Sequence, residues 1–217
     1  MLQDGEFAKY IPDTIQITDF DSFIEFIQKY DKAILKPRVG HKGIGIYLIS
    51  KINEESYQLY SNKSEKVLSA QELKFFIDDL MKNKVYLAQQ YINSTTTSGN
   101  PFDCRIRLEK NGEAKWSIAM HLIRIGSNNK VVSNIAQGGG VQQLLPFIKF
   151  HYPEDWKEIK AEIEYLAAYL PLKIEALYHK QTSCLGIDVG IDKDGKYIYL
   201  RLMLLQGYNL AQQKLST

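Results

Sequence analysis

The sequence predicts an α+β fold with antiparallel sheets, and three observations predict it. The run "FDCRIRLEKNGEAKWSIAMHLIRIG" is two strand-like segments joined at Asn-Gly, the dipeptide that suits a tight hairpin turn. A second pair, "LGIDVGIDKDGKYIYL", turns at "DKDG" and returns with Lys196, Ile198 and Leu200 alternating with Tyr197 and Tyr199. Helical segments interleave with these strands, yet the strand pairs are joined by short turns, and a parallel pair would need a long crossover.

In chain order, "DTIQITDFDSFIEFIQKY" is an extended piece and then a helix capped by Thr18 or Asp19, with Phe23, Phe26, Ile27 and Tyr30 on one face. "KAILKPRVGHKGIGIYLISK" reads as strand, glycine loop, strand, and "SYQLYS" as an edge strand. "SAQELKFFIDDLMK" is a helix with Ser69 as cap and Glu72 at the capping-box position. "VYLAQQYI" is a short buried strand. After the central hairpin and the glycine-rich "SNIAQGGGVQQL", the amphipathic helix "PEDWKEIKAEIEYLAAYLP" leads to the closing hairpin, where alternation stops and Leu202–Leu205 are apolar in a row.

With 217 residues, 45% hydrophobic and 24% charged, the chain can bury a real core as one domain of two lobes or as two small domains. A formal charge of +2 and a pI near 8.3 supply no field towards nucleic acid or membrane, so both are set aside as partners. No apolar run approaches the ~18 to 20 residues that span a bilayer, and "MLQDGEFAKY" lacks a signal pattern, so a cytoplasmic location is expected. Cys104 and Cys184 lack metal-ligand spacing and read as buried free thiols.

The chemistry starts at "AILKP", which places Lys36 at a strand end before "GHKGIG", with Gly40, Gly43 and Gly45. An ammonium beside exposed backbone N–H groups suits a polyphosphate. A strand follows the loop, so this is not a P-loop; a plain turn is the alternative. Further on, Gln89 and Gln90 end a buried strand with Ile92 beyond, and Asp103 and Arg105 share a strand face, which also fits a structural ion pair. Arg124, Asn134 and Gly138 to Gly140 follow at R-x9-N-x3-GGG, and Asp188 lies among apolar neighbours in "GIDVGID". His41 rides in the glycine loop, whereas His121 on an apolar strand reads as packed.

This ordered series resembles the ATP-grasp superfamily, and within it the spore coat-associated YheC/YheD-like proteins, from "YIPDT" to "GIDKDGKYIYL". The resemblance implies two α+β lobes with antiparallel sheets enclosing a nucleotide cleft, with residues 14–90 as the nucleotide-binding lobe and 91–217 as the second. It implies that Lys36 binds phosphate, that Gly40, Gly43 and Gly45 form a mobile flap, and that Gln89 and Ile92 hold adenine. Arg105, Arg124 and Asn134 would meet the transferred phosphate or substrate carboxylate, and Asp188 would be the first metal ligand. The implied cofactors are ATP and magnesium. The implied chemistry activates a carboxylate as an acyl phosphate that an amine displaces, with spore coat proteins as partners and the spore coat as destination.

Two departures stand out. The family closes its hairpin with E-x-N to complete the metal site, and here Arg201 and Met203 occupy those places; neither suits a hard cation, so magnesium binding and catalysis are expected to be weak. Permitted codons for Leu200 to Gly207, TTG AGA TTA ATG CTG CTC CAG GGN, read from the third base as Glu-Ile-Asn-Ala-Ala-Pro-Gly, the missing motif. The residues after Leu200 are therefore either an out-of-frame tail or genuine divergence towards a non-catalytic coat or scaffold protein. A preceding α/β domain, usual in such enzymes, is also missing, which implies that it lies on another polypeptide or that this is a fragment.

Overall fold

The computed structural model describes residues 5–39, 44–61, 64–126, 140–179, 181–195 and 198–203, the last three by their place in a strand alone. These divide into two compact units, residues 12–91 and residues 5–11 with 92–126 and 140–203.

The first unit is a six-stranded antiparallel sheet in the order β1-β6-β2-β3-β4-β5. Its strands are β1 (Thr14–Gln16), β2 (Lys32–Pro37), β3 (Tyr47–Lys51), β4 (Ser56–Ser61), β5 (Glu65–Ser69) and β6 (Tyr86–Gln90). Two helices, α1 (Phe20–Tyr30) and α2 (Ala70–Asn83), start where their caps dictate. Asp19, rather than Thr18, caps α1: its carboxylate accepts from the Ser22 N–H at 2.7 Å, and the Ser22 hydroxyl closes the box. Ser69 and Glu72 do the same for α2. Each cap contributes about 1 kcal/mol. Phe23 and Ile27 of α1 and Leu73 and Ile77 of α2 are fully buried with Ala33, Leu35 and Ile49 of the sheet. Because strands alternate, the positions between these, including Ile34, Lys36 and Gln89, belong to the opposite face.

β4 is not the edge strand that its sequence suggested. β5 pairs outside it, from Ser56 opposite Ser69 to Tyr60 opposite Glu65. "EKVLS" carries too many exposed polar residues to stand out as a strand, which is what an edge position requires.

The second unit is a five-stranded antiparallel sheet in the order β11-β10-β7-β8-β9. It comprises β7 (Phe102–Lys110), β8 (Trp116–Ile125), β9 (Gly140–Gln143), β10 (Cys184–Ile191) and β11 (Ile198–Met203), with helices α3 (Leu144–His151) and α4 (Trp156–Tyr178). Leu185, Ile187, Val189 and Ile191 of β10 enter a core shared with Ile106, Phe147, Ile163 and Leu166. Burying a side chain of this size contributes roughly 1.5–3 kcal/mol. Phe7 and Tyr10 from the first described segment join the same core.

Three local features differ from the sequence reading. In the β7–β8 turn the Asn111 side chain accepts from the N–H groups of Glu113 and Lys115, both at 3.0 Å, and the positive φ falls on Ala114 rather than on Gly112. Leu144–His151 is a separate helix; Pro146 fits its first turn, where a missing N–H breaks no helical bond. α4 continues through Pro171 to Tyr178, because Leu170, Pro171 and Ile174 are all buried in the core. The closing hairpin turns at Asp192–Gly195 as read: the Gly195 N–H donates to the Asp192 carbonyl, φ is +72° at Gly195, and a Cβ there would meet Tyr152 at 2.9 Å.

Candidate functional site

On the first unit, Lys36 and Gln89 come together. β2 and β6 set Lys36 opposite Leu87 and Ile34 opposite Gln89, so the lysine and the glutamine are diagonal neighbours on one sheet face. The Lys36 Nζ donates to Gln89 Oε1 at 2.9 Å, Gln89 Nε2 donates to the Thr14 hydroxyl at 2.8 Å, and Thr14 donates to the Pro12 carbonyl at 2.9 Å. This chain fixes which end of the Gln89 amide faces the ammonium. Thr14, which the sequence did not single out, is thus the third member.

Gly45 of the loop has φ +75°, and a Cβ there would lie 2.9 Å from the Tyr86 hydroxyl, so backbone and space both demand glycine. Gly40, Gly43 and His41 lie outside the described residues. Ile92 is half-buried, its carbonyl accepts from the Ser94 N–H at 3.0 Å, and it belongs to the second unit.

On the second unit, Arg105, Arg124 and Asp188 come together. Asp188 on β10 is the single charged residue in the buried class among the described residues, 1% exposed, in an otherwise apolar strand. Its register partner on β7 is Arg105, which donates through Nε to Oδ1 and through Nη2 to Oδ2 at 2.8 Å. Arg124 on β8 reaches the same Oδ2 at 3.0 Å while holding Asp103 with two bonds of 2.6 Å. Two carboxylates and two guanidiniums therefore alternate across three strands. Burial is the largest influence on Arg124 and opposes its charge, yet Asp103 and then Asp188 leave its pKa above the ordinary guanidinium value. Burial pushes the neighbouring Cys104 thiol up to about 12, helped by the charges of Asp103 and Asp188, so it stays protonated at neutral pH.

Asp103 pairs with Arg124, not with Arg105 two residues along its own strand. A bulge between Arg107 and Leu108 shifts the ladder by one residue. Counting register from the turn would place Asp103 opposite Ile123, so this partnership was out of reach of the sequence. Asn134, Gly138 and Gly139 lie outside the described residues; Gly140 begins β9, opposite Ile125.

The donor set around Asp188 does not suit magnesium. Both carboxylate oxygens are engaged by arginine, and no group of three His, Cys, Asp or Glu able to hold a metal occurs among the described residues. Arg201 is the register partner of Asp188 on β11, and Met203 that of Gly186. Magnesium takes hard oxygen ligands, which neither residue type supplies.

The two antiparallel sheets, one per unit, are those of the ATP-grasp fold. The structure matches D-cycloserine synthetase DcsG with a TM-score of 0.55 at 13% identity, covering 91% of this chain and 58% of that one. It matches D-alanyl-alanine synthetase A from Vibrio cholerae O1 biovar eltor str. N16961 equally well, at 0.55 and 13%, covering 91% and 51%. The YheC/D-like ATP-grasp family profile matches residues 1–201, and the chain belongs to that family. It is similar to two Bacillus subtilis (strain 168) proteins. Endospore coat-associated protein YheC is 24% identical over 86% of this chain and 52% of the relative. Endospore coat-associated protein YheD is 22% identical over 89% and 44%. The chain thus spans about half the length of these relatives. Among the described residues no helix is long and apolar enough to cross a membrane.

Proposed function

We propose that the chain is an ATP-binding protein descended from a carboxylate–amine ligase that works through an acyl phosphate, and that it ligates poorly as its sequence stands. The observation that carries nucleotide binding is the Lys36 ammonium resting on Gln89 at 2.9 Å, a cation beside a polar amide on one sheet face. In this reading Lys36 exchanges Gln89 for phosphate oxygens, Gln89 and Ile92 hold the base, and Gly40, Gly43 and Gly45 let the flap close. Arg105, Arg124 and Asn134 would bind the transferred phosphate or the substrate carboxylate. Asp188 would be the first metal ligand only if its arginines gave way and further oxygen ligands were supplied. The names of its relatives support association with the spore coat.

A second reading, a non-catalytic coat or scaffold protein with the same fold, is favoured by Arg201 standing opposite Asp188. A thermal-shift titration separates the two. Stabilisation by ATP that magnesium leaves unchanged is expected, because a ligand raises the melting point only as far as it prefers the folded chain. Enhancement by magnesium would reinstate a working metal site. Lys36→Ala should abolish the response to ATP, and an unchanged response would remove Lys36 from the phosphate site.

A further inference from the structure

α4 buries Ile159, Ile163, Leu166 and Leu170, but it also carries a second stripe, Ala161, Tyr165, Ala168 and Leu172, spaced by four, three and four residues. Both alanines are exposed, as are Leu172 and the adjoining Tyr169, each at 53%. Two surface depressions of nearly equal size, 500 and 490 Å³, flank the stripe and share Ala161. Their charges are opposite. The first sets Glu6, Glu158 and Glu162 against Lys9, and the second sets Lys149, Lys157 and Lys160 against Glu164. Lys149 and Lys157 approach the Trp156 ring to 4.6 and 5.7 Å, and among the described residues neither has a carboxylate partner. An apolar stripe with an acidic flank and a basic flank of matching size is complementary to itself.

We propose that the outer face of α4 is a self-association surface that takes a second copy of this chain. The charges select the geometry. A two-fold axis running along the helices sets the two α4 segments parallel and brings each basic flank onto the partner's acidic flank. An axis across the helices would oppose like to like. Small residues at Ala161 and Ala168 permit close approach, Leu172 and Tyr169 supply apolar area, and the exposed ion pairs fix the register. The contact is isologous, so it closes as a dimer. It is independent of nucleotide binding.

Sedimentation velocity on the full chain tests this. The wild type should form a concentration-dependent dimer at low ionic strength that salt weakens, as screening of exposed charges requires. Lys157→Glu takes the basic flank from a net charge of +2 to zero and Glu158→Lys takes the acidic flank from −2 to zero, so each alone removes the charge complementarity at both contacts and should weaken the dimer by about tenfold or more. Mixed one to one, the two variants should dimerise with each other. Both positions are exposed, so melting curves should match the wild type; Leu172→Asp, on the apolar stripe, should abolish the dimer whatever the charges. A monomeric wild type, single variants that dimerise normally, or a mixture that stays monomeric would each overturn the proposal.

Discussion

Arg105 and Asp188 stand directly opposite one another on neighbouring antiparallel strands, joined by two hydrogen bonds at a carboxylate that is 1% exposed. Arg124 adds a third contact to the same group. Desolvating a carboxylate this deeply is costly unless it is paired, and removing its charge takes the shared anion away from two guanidiniums at once. Asp188→Asn should therefore destabilise the chain by about 3–5 kcal/mol in urea unfolding, since two guanidiniums would then face a neutral amide. Asp103→Asn should cost less, because Arg124 keeps its contact with Asp188. If Asp188→Asn unfolds at nearly the wild-type midpoint, the network is not a stabilising one.

The Nδ1 of His151 is buried without a hydrogen-bond partner, in a ring 4.3 Å from Phe147. Burial holds the imidazole below its ordinary value of 6.5, so the folded chain prefers it neutral. The unfolded chain takes up the proton first on acidification. The stability this group contributes is complete above 6.5 and is lost as the pH falls through the lower folded value. Melting temperature should fall as the pH drops below 6.5, and His151→Phe should flatten that slope. Parallel slopes for the two proteins would mean that His151 is solvated.

Ala114 holds φ +58° in the β7–β8 turn, a conformation that costs a residue with a Cβ about 1–2 kcal/mol. Glycine removes that cost and loses part of the gain to the freedom of the unfolded chain, so Ala114→Gly should stabilise by about 0.5–1 kcal/mol. A lower melting temperature would show that the turn relaxes in solution.

The elements legible in the sequence were those with local signals. Ser69 announces its helix through a capping box, Thr18 and Asp19 mark the start of the other, and both long hairpins carry their turn residues. What escaped notice depends on what a segment pairs with or packs against. β5 is a strand because β4 lies beside it, and α4 passes Pro171 because a core receives Leu170 and Ile174. The candidate site divides the same way. Lys36, Gln89, Arg105 and Asp188 sit in recognisable strands, whereas Thr14 and the pairing of Asp103 with Arg124 follow from register and from one bulge.

The closing strand carries the sharpest test. β11 continues the ladder through Arg201, Leu202 and Met203, and the family match ends at residue 201. Register places residue 201 opposite Asp188, and a guanidinium there cannot ligate a cation, whereas a carboxylate can. We expect the coding DNA from Leu200 to Gly207 to read TTG AGA TTA ATG CTG CTC CAG GGN, in which a one-base change of frame yields Glu-Ile-Asn-Ala-Ala-Pro-Gly. Methionine has a single codon, so the match is not free for the choosing. A chain rebuilt with that heptapeptide after Leu200 should be stabilised more by ATP with magnesium than by ATP alone, while the chain carrying Arg201 and Met203 should not. Other codons at these positions would establish divergence instead, and the absence of a magnesium effect in the rebuilt chain would show that Asp188 is held too firmly by Arg105 and Arg124 to serve as a ligand.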